Sequence, residues 1–271
     1  LTYLLAVLSS IAYGAADFCG GLATKRTALF AVVVFSQLAG LILVVIALPI
    51  LPPASPTAID FAWGAAAGLA GGIGVALLYR ALSVGVMSVI APVTAVCAVL
   101  VPLMVGMLLG ERPALQAMLG VIVAIMAIVL VSQSGEKHAA TGVPMAIASG
   151  VIIGFFLVFL SRSGPPAGMW PLIAARAVSV SFFALLGRRK IFPDRNSLPL
   201  ILGGGALDML ANILYVLAVR RGLLSIVATL TSLYPTSTII LARIVLRERL
   251  RPVQQAGVLC AGLAIVLIVT G

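Results

Sequence analysis

Charged and hydrogen-bonding side chains are rare in this sequence, so those inside its long apolar runs mark where chemistry can occur. Asp208, Asn212 and Tyr215 stand at i, i+4 and i+7 of one such run, which puts all three on one face of a helix. An ionised side chain at the centre of a membrane span costs about 2.5–3.5 kcal/mol on insertion scales, so Asp208 calls for a partner or a wet cavity. Two readings fit the stripe: a face that binds substrate or a proton, or a seam of hydrogen bonds between helices. Arg176, in the preceding apolar run, is the natural counter-ion. If the two pair, the pair can be purely structural; if they do not, the planar guanidinium suits a substrate carboxylate.

Two further runs carry polar stripes. Near the N-terminus Ser10, Tyr13 and Asp17 share a face, and Asp17 is close enough to Lys25 and Arg26 to meet them or water instead of a ligand. In a later run Thr231, Tyr234 and Thr238 share a face, and Pro235 is expected to free the carbonyl of Thr231 for another partner. Thr94 matches Thr231 in the repeat described below. Such hydroxyls can equally bond back to their own helix. Gln37 is a polar candidate of low specificity, and Arg243 lies near enough to a helix end to snorkel. The candidate substrate-binding set is Asp208, Asn212, Tyr215, Arg176, Tyr234, Thr231, Tyr13, Asp17 and Thr94. No catalytic, cofactor-binding or metal-binding residue is expected.

Elements must hold these side chains in place. With 62% hydrophobic residues, 9% charged and a mean hydropathy of +1.25 over 271 residues, the chain lacks the polar surface of a soluble domain. A helical span needs roughly 20 apolar residues to cross about 30 Å of hydrocarbon, which leaves room for about ten. Transmembrane strands would alternate apolar and polar residues, whereas these runs are continuous. Helices are predicted over 3–22, 29–48, 59–79, 87–109, 115–132, 143–161, 168–187, 199–219, 223–246 and 253–270. Lys25-Arg26-Thr27, the prolines from Pro49 to Pro56, Ser132 to Thr141, Gly164-Pro165-Pro166 and Arg188 to Ser197 punctuate them. Cys19, Cys97 and Cys260 fall within spans and read as small buried apolar residues rather than a disulfide framework. His138 stands alone in a connecting loop, so no His-based metal or catalytic cluster is expected. The first run begins at once, and no separate signal peptide is read before it.

The sequence also repeats itself. Residues 85–122 lie without a gap on 222–259, with identities that include Gly85/Gly222, Ser88/Ser225, Thr94/Thr231, Glu111/Glu248 and Gly120/Gly257. Among apolar helices several matches arise by chance, but registered polar and glycine matches are harder to dismiss. A repeat of half the chain length indicates two structural halves. Five spans per half is an odd number, so the second half enters the membrane inverted, and a site is expected near the midplane between them. The expected fold class is an all-α polytopic membrane protein, ten transmembrane helices as two inverted five-helix repeats. Residues 1–132 form the first repeat, 133–142 the connecting loop and 143–271 the second repeat. Gly64, Gly68 and Gly72 form a stripe that lets a neighbouring backbone come close. Glu111 and Glu248 are expected to be neutralised within their turns by Arg112, Arg247 and Arg249, capping the hairpins outside the site. The net charge of +10 sits mostly at helix ends, facing lipid head groups rather than nucleic acid. Basic loop residues crowd the side reached after an odd number of spans, from Lys25 and Arg26 to Arg247, Arg249 and Arg251. The positive-inside rule puts that side in the cytoplasm and both termini outside.

The Glu-Arg turns, Gly110-Glu111-Arg112-Pro113 and Arg247-Glu248-Arg249-Leu250, together with Tyr13-Gly14-Ala15-Ala16-Asp17-Phe18, resemble the EamA family of the drug/metabolite transporter superfamily. The resemblance covers nearly the whole chain as two tandem units. It implies a ten-helix secondary transporter with a central cavity between the halves, commonly an exporter of amino acids or other small metabolites from prokaryotic cells. Aromatic amino-acid exporters are among the members it is similar to. The chain departs from the pattern in three places. Ala98 holds the first-half position that matches Pro235, Tyr13 replaces the usual tryptophan, and the family habit of cytoplasmic termini runs against the loop charges.

Function classes can then be weighed. Phosphorylated substrates need fixed positive charge, yet Lys25, Lys137 and Lys190 are all in loops and only Arg176 is deep. An apolar cavity with tyrosines, one arginine and one or two carboxylates better suits an amino acid, a small aromatic metabolite or a lipophilic cation. The leading reading is a secondary transporter that exports amino acids or related metabolites by alternating access; the alternative is a multidrug exporter of lipophilic organic cations. Its partners are a small-molecule substrate and the lipid bilayer, with protons a candidate driving ion and uniport an equal fit, as monomer or homodimer and without nucleic acid or cofactor. No Gly-x-x-x-x-Gly-Lys-Ser/Thr is present, so ATP coupling within this chain is not expected. Neither His-Glu-x-x-His nor Gly-x-Ser-x-Gly occurs, which argues against an intramembrane enzyme. A passive channel is the third class; continuous conductance in planar bilayers would favour it, whereas saturable counterflow would favour a carrier.

Overall fold

Inside lipid a backbone must satisfy its own hydrogen bonds, and each long apolar run of this chain does so as a helix. The computed structural model describes residues 1–51, 53–110, 114–132, 142–187, 192–219, 227, 230, 231 and 233–270. Ten α-helices of 11 residues or more run through them. They are α1 (Thr2–Thr24), α2 (Leu29–Ala47), α3 (Ala58–Val84), α4 (Met87–Leu108), α5 (Leu115–Ser132), α6 (Val143–Ser161), α7 (Trp170–Gly187), α8 (Leu198–Val219), α9 (Pro235–Val245) and α10 (Pro252–Thr270). No strand occurs among the described residues. Eight helices are long and apolar enough to cross a membrane, while α5 and α9 are apolar but shorter over their fully described residues. The all-helical polytopic fold is as expected.

Two helix boundaries differ from the prediction for clear reasons. Helix α3 continues past Tyr79 to Val84, because nothing breaks it before Gly85, so Arg80 is helical rather than in a loop. Its start is fixed by a capping box in which the Asp60 carboxylate accepts from the Thr57 amide at 2.8 Å and the Thr57 hydroxyl at 2.6 Å. In the predicted span 223–246, residues 223–226, 228, 229 and 232 lie outside the described residues, and α9 itself begins only at Pro235. Leu233 and Tyr234 form a turn in which the Tyr234 amide donates to the Thr231 carbonyl at 3.1 Å. The carbonyl that Pro235 leaves without its usual helical donor is thus taken by another partner, as expected. A proline at the first helical position omits a donor that no carbonyl there requires. Helix α4 instead runs unbroken through Pro92 and Pro102.

The two halves interlock. Helix α1 packs on α8 and α9, α3 on α6 and α7, α2 on α7 and α8, α4 on α6, α9 and α10, and α5 on α10. Exchanging each helix for the one five places along turns α1 on α8 into α6 on α3, and α3 on α7 into α8 on α2. The seams are matched likewise: Ser9 Oγ of α1 donates to the Ala211 carbonyl of α8 at 2.8 Å, and Ser149 Oγ of α6 to the Gly74 carbonyl of α3 at 2.7 Å. Small residues permit these crossings. A methyl at Gly68 would stand 2.4 Å from the Ala175 carbonyl oxygen, so the glycine stripe brings the α7 backbone directly onto α3.

The turn before α10 does not close on itself as expected. Glu248 reaches the start of α4, where its carboxylate accepts from the Met87 amide at 2.9 Å, the Ser88 amide at 3.0 Å and Ser88 Oγ at 2.8 Å. Arg247 and Arg249 are exposed and form no ion pair with it. Three donors at a helix N-terminus satisfy a carboxylate better than solvated guanidinium groups can. Glu111 and Arg112 lie outside the described residues, as do Lys137 and His138.

Candidate functional site

The α3–α7 contact determines where the deepest cation points. With Ala175 lying over Gly68, Arg176 turns from α3 toward α2 and α8. Its Nη1 donates to Gln37 Oε1 of α2 and its Nη2 to Asp208 Oδ2 of α8, and Ser179 Oγ donates to the same Gln37 oxygen at 3.1 Å. Of the two alternatives left open by the sequence, the ion pair is the one that forms. The side chains are only 11% and 23% exposed, and removing one partner of such a pair costs about 3–5 kcal/mol because a buried charge is left uncompensated. Arg176 Nε is buried without a partner among the described residues.

Along α8 the stripe divides. Asn212 is buried and its Nδ2 donates to the Asp208 carbonyl at 2.8 Å, so its amide serves its own helix. Tyr215 is half-buried against Leu5, Ala6, Val227 and Leu230.

Helix α1 supplies the opposite wall. Leu4, Leu8 and Ile11 are exposed on the outside of the bundle, and Tyr13 and Asp17, half-buried, occupy the opposite side of the helix and face its interior. The rings of Tyr13 and Tyr234 lie 6.1 Å apart at 59°, placed by the α1–α9 crossing at Gly14, where a methyl would stand 2.3 Å from the Tyr234 carbonyl oxygen. Tyr13 lies within electrostatic range of Asp208, Arg176, Tyr215 and Asp17, and Asp17 within range of Asp208 and Tyr234. Asp17 makes no ion pair and no hydrogen bond among the described residues, to Lys25 and Arg26 or to any other. A carboxylate with no partner among the described residues thus stands near two tyrosines, across from a carboxylate that is paired.

The structure therefore gathers Arg176, Asp208, Asp17, Tyr215 and Tyr234 in one neighbourhood around Tyr13. Thr231 has a buried hydroxyl without a partner among the described residues. Thr94 is placed differently: it is fully buried and its Oγ1 faces the Ala146 carbonyl of α6 at 3.3 Å, a helix seam rather than a cleft wall. Thr238 likewise joins α9 to the Gly14 carbonyl at 3.0 Å. Gln37 is drawn in by Arg176, although in the sequence it is merely one amide in an apolar run. Ser179 was missed, because a lone serine in a helix carries no signal. Among the described residues no three His, Cys, Asp or Glu side chains gather as metal ligands would.

A model of the EamA-like transporter family matches residues 1–133 and 140–270. No individually curated protein matches the chain.

Proposed function

The chain belongs to the EamA-like transporter family, multi-pass membrane proteins that are secondary transporters of small molecules, and from that premise we propose that it exports amino acids or related amine-bearing metabolites. In this reading export crosses the inner or plasma membrane of a prokaryotic cell, by alternating access through the cleft between repeats 1–132 and 143–271. The observation that carries it is Asp17, without a partner among the described residues, near the Tyr13 and Tyr234 rings. Asp17 takes the substrate ammonium, and the two rings take its apolar body and part of its charge. Tyr215 and the Thr231 hydroxyl bound the cleft. Asp208 and Arg176, with Asn212 on the Asp208 carbonyl, hold the wall in shape and compensate each other's charge. A proton exchanged for the ammonium at Asp17 would couple export to a proton gradient.

One observation favours the second reading, export of lipophilic organic cations. Asp208 and Gln37 engage Arg176, so among the described residues the cleft keeps a free carboxylate and no free cation for a substrate carboxylate. A thermal-shift series separates the two, since a ligand that binds only the folded state raises the unfolding temperature. The purified protein in detergent is titrated with phenylalanine, phenethylamine and tetraphenylphosphonium. Stabilisation by the first two that disappears in Asp17→Asn supports amine export. Stabilisation by tetraphenylphosphonium alone selects the cation reading, and equal shifts in wild type and Asp17→Asn remove Asp17 from the site.

A further inference from the structure

The contact between Glu248 and α4 joins the two halves at the end of the interface, on the face rich in basic loops. Glu248 belongs to the turn that follows α9, and its three donors belong to the first turn of α4 in the other half. An apolar layer lies with it: Leu22, Leu82, Met87 and Leu250 are all buried in one cluster, with Leu246 packed against it.

The contact has the chemistry of something that opens. A carboxylate and a helix N-terminus attract strongly when pressed together, yet both are readily hydrated when parted. The turn that aims Glu248 is a repeated feature: Arg247 holds a left-handed φ of 55°, and Gly110, its match in the first half, holds 92°. The sequence repeats both partners as well, Glu248 with Glu111 and Ser88 with Ser225. We propose that Glu248 and the first turn of α4 form the latch that closes the cleft on the basic face, breaking each time the cleft opens to that side. This rests on the alternating-access reading above, and it assigns a gating role to a residue that touches no substrate.

The test reads access directly and needs no substrate, so it can fail while the substrate reading stands, and the reverse. Ala95 shares the α4 face of Ser88 two turns deeper, is 2% exposed and lies in the same cluster as Tyr234. In full-length protein with Cys19, Cys97 and Cys260 replaced by alanine, Ala95→Cys reports access from the basic face of proteoliposomes to a membrane-impermeant methanethiosulfonate reagent. Adding Glu248→Gln, which keeps the size but loses the charge and one acceptor, is expected to speed labelling about tenfold, as the loss of charge-assisted hydrogen bonds implies. In a second protein Ser88→Cys and Glu248→Cys are joined by a reducible bis-methanethiosulfonate before labelling. Cross-linking should stop labelling of the residue 95 reporter from that face, and reduction should restore it. Equal labelling with and without Glu248→Gln, equal labelling before and after cross-linking, or failure of the pair to cross-link in the membrane each overturns the latch.

Discussion

Asp208 is the clearest case of a residue whose identity and whose role are different questions. A carboxylate in an apolar helix must have a partner, and Arg176 is that partner, braced by Gln37. The pair makes a prediction that separates structure from transport. Asp208→Asn leaves Arg176 uncompensated, so transport in proteoliposomes should be lost and stability in detergent should fall by up to about 3–5 kcal/mol. Replacing both members with neutral residues, Arg176→Gln with Asp208→Asn, should recover most of the thermal stability. We expect transport to return with it, since the pair holds the fold; transport that stays lost would give the pair a part in the transport cycle. Asp208 and Arg176 were legible because charge is conspicuous among apolar residues. Gln37 was legible only as a weak candidate and Ser179 not at all, because their meaning comes from the Arg176 guanidinium, which for Gln37 lies on a helix far away in sequence.

At the scale of elements, the site depends on helices that approach more closely than side chains allow. Gly68→Ala would drive a methyl into the α7 backbone at Ala175, one residue from Arg176. We expect a loss of about 1–3 kcal/mol, as for overpacked cores, measured as a lower unfolding temperature, together with weaker transport. Hydroxyl seams should behave otherwise. Thr238→Val removes the bond to the Gly14 carbonyl, which should cost about 1 kcal/mol and leave ligand-induced thermal shifts unchanged; a selective loss of ligand response would return Thr238 to the site. The glycine stripe could be read from its spacing of four. The break before Pro235 was only half legible: the proline was plain, but a turn that satisfies the Thr231 carbonyl depends on how α1 presses Gly14 against Tyr234.

The whole molecule must also choose which way to face. Arg162 follows α6, and Arg195 precedes α8, on opposite sides of the membrane. Positive loops favour the cytoplasm, so a cysteine at Arg195 should be protected from an impermeant maleimide on intact cells, and one at Arg162 should be labelled. The reverse pattern would put the basic face, and the Glu248 contact with it, outside. The interlocked packing of the halves bears on stability too, since the principal contacts of α1, α2 and α3 are with α6, α7, α8 and α9. Expressing residues 1–132 alone should therefore give protease-sensitive membrane protein, whereas co-expression with the second half should restore protection.

What the sequence determined by itself was everything governed by local composition. Continuous hydrophobicity dictates helices in lipid, glycine, proline and charge mark their ends, and matched polar positions such as Ser88/Ser225 and Glu111/Glu248 announce the repeat. Tertiary structure alone decided which polar groups meet. It paired Arg176 with Asp208, left Asp17 without a partner among the described residues near Tyr13 and Tyr234, assigned Thr94 to a seam, and sent Glu248 across to the other half rather than to its neighbouring arginines. The physical reason is that a helix presents several faces, and one polar side chain does not say which face meets lipid, another helix or water; only the packing of the other helices around it does.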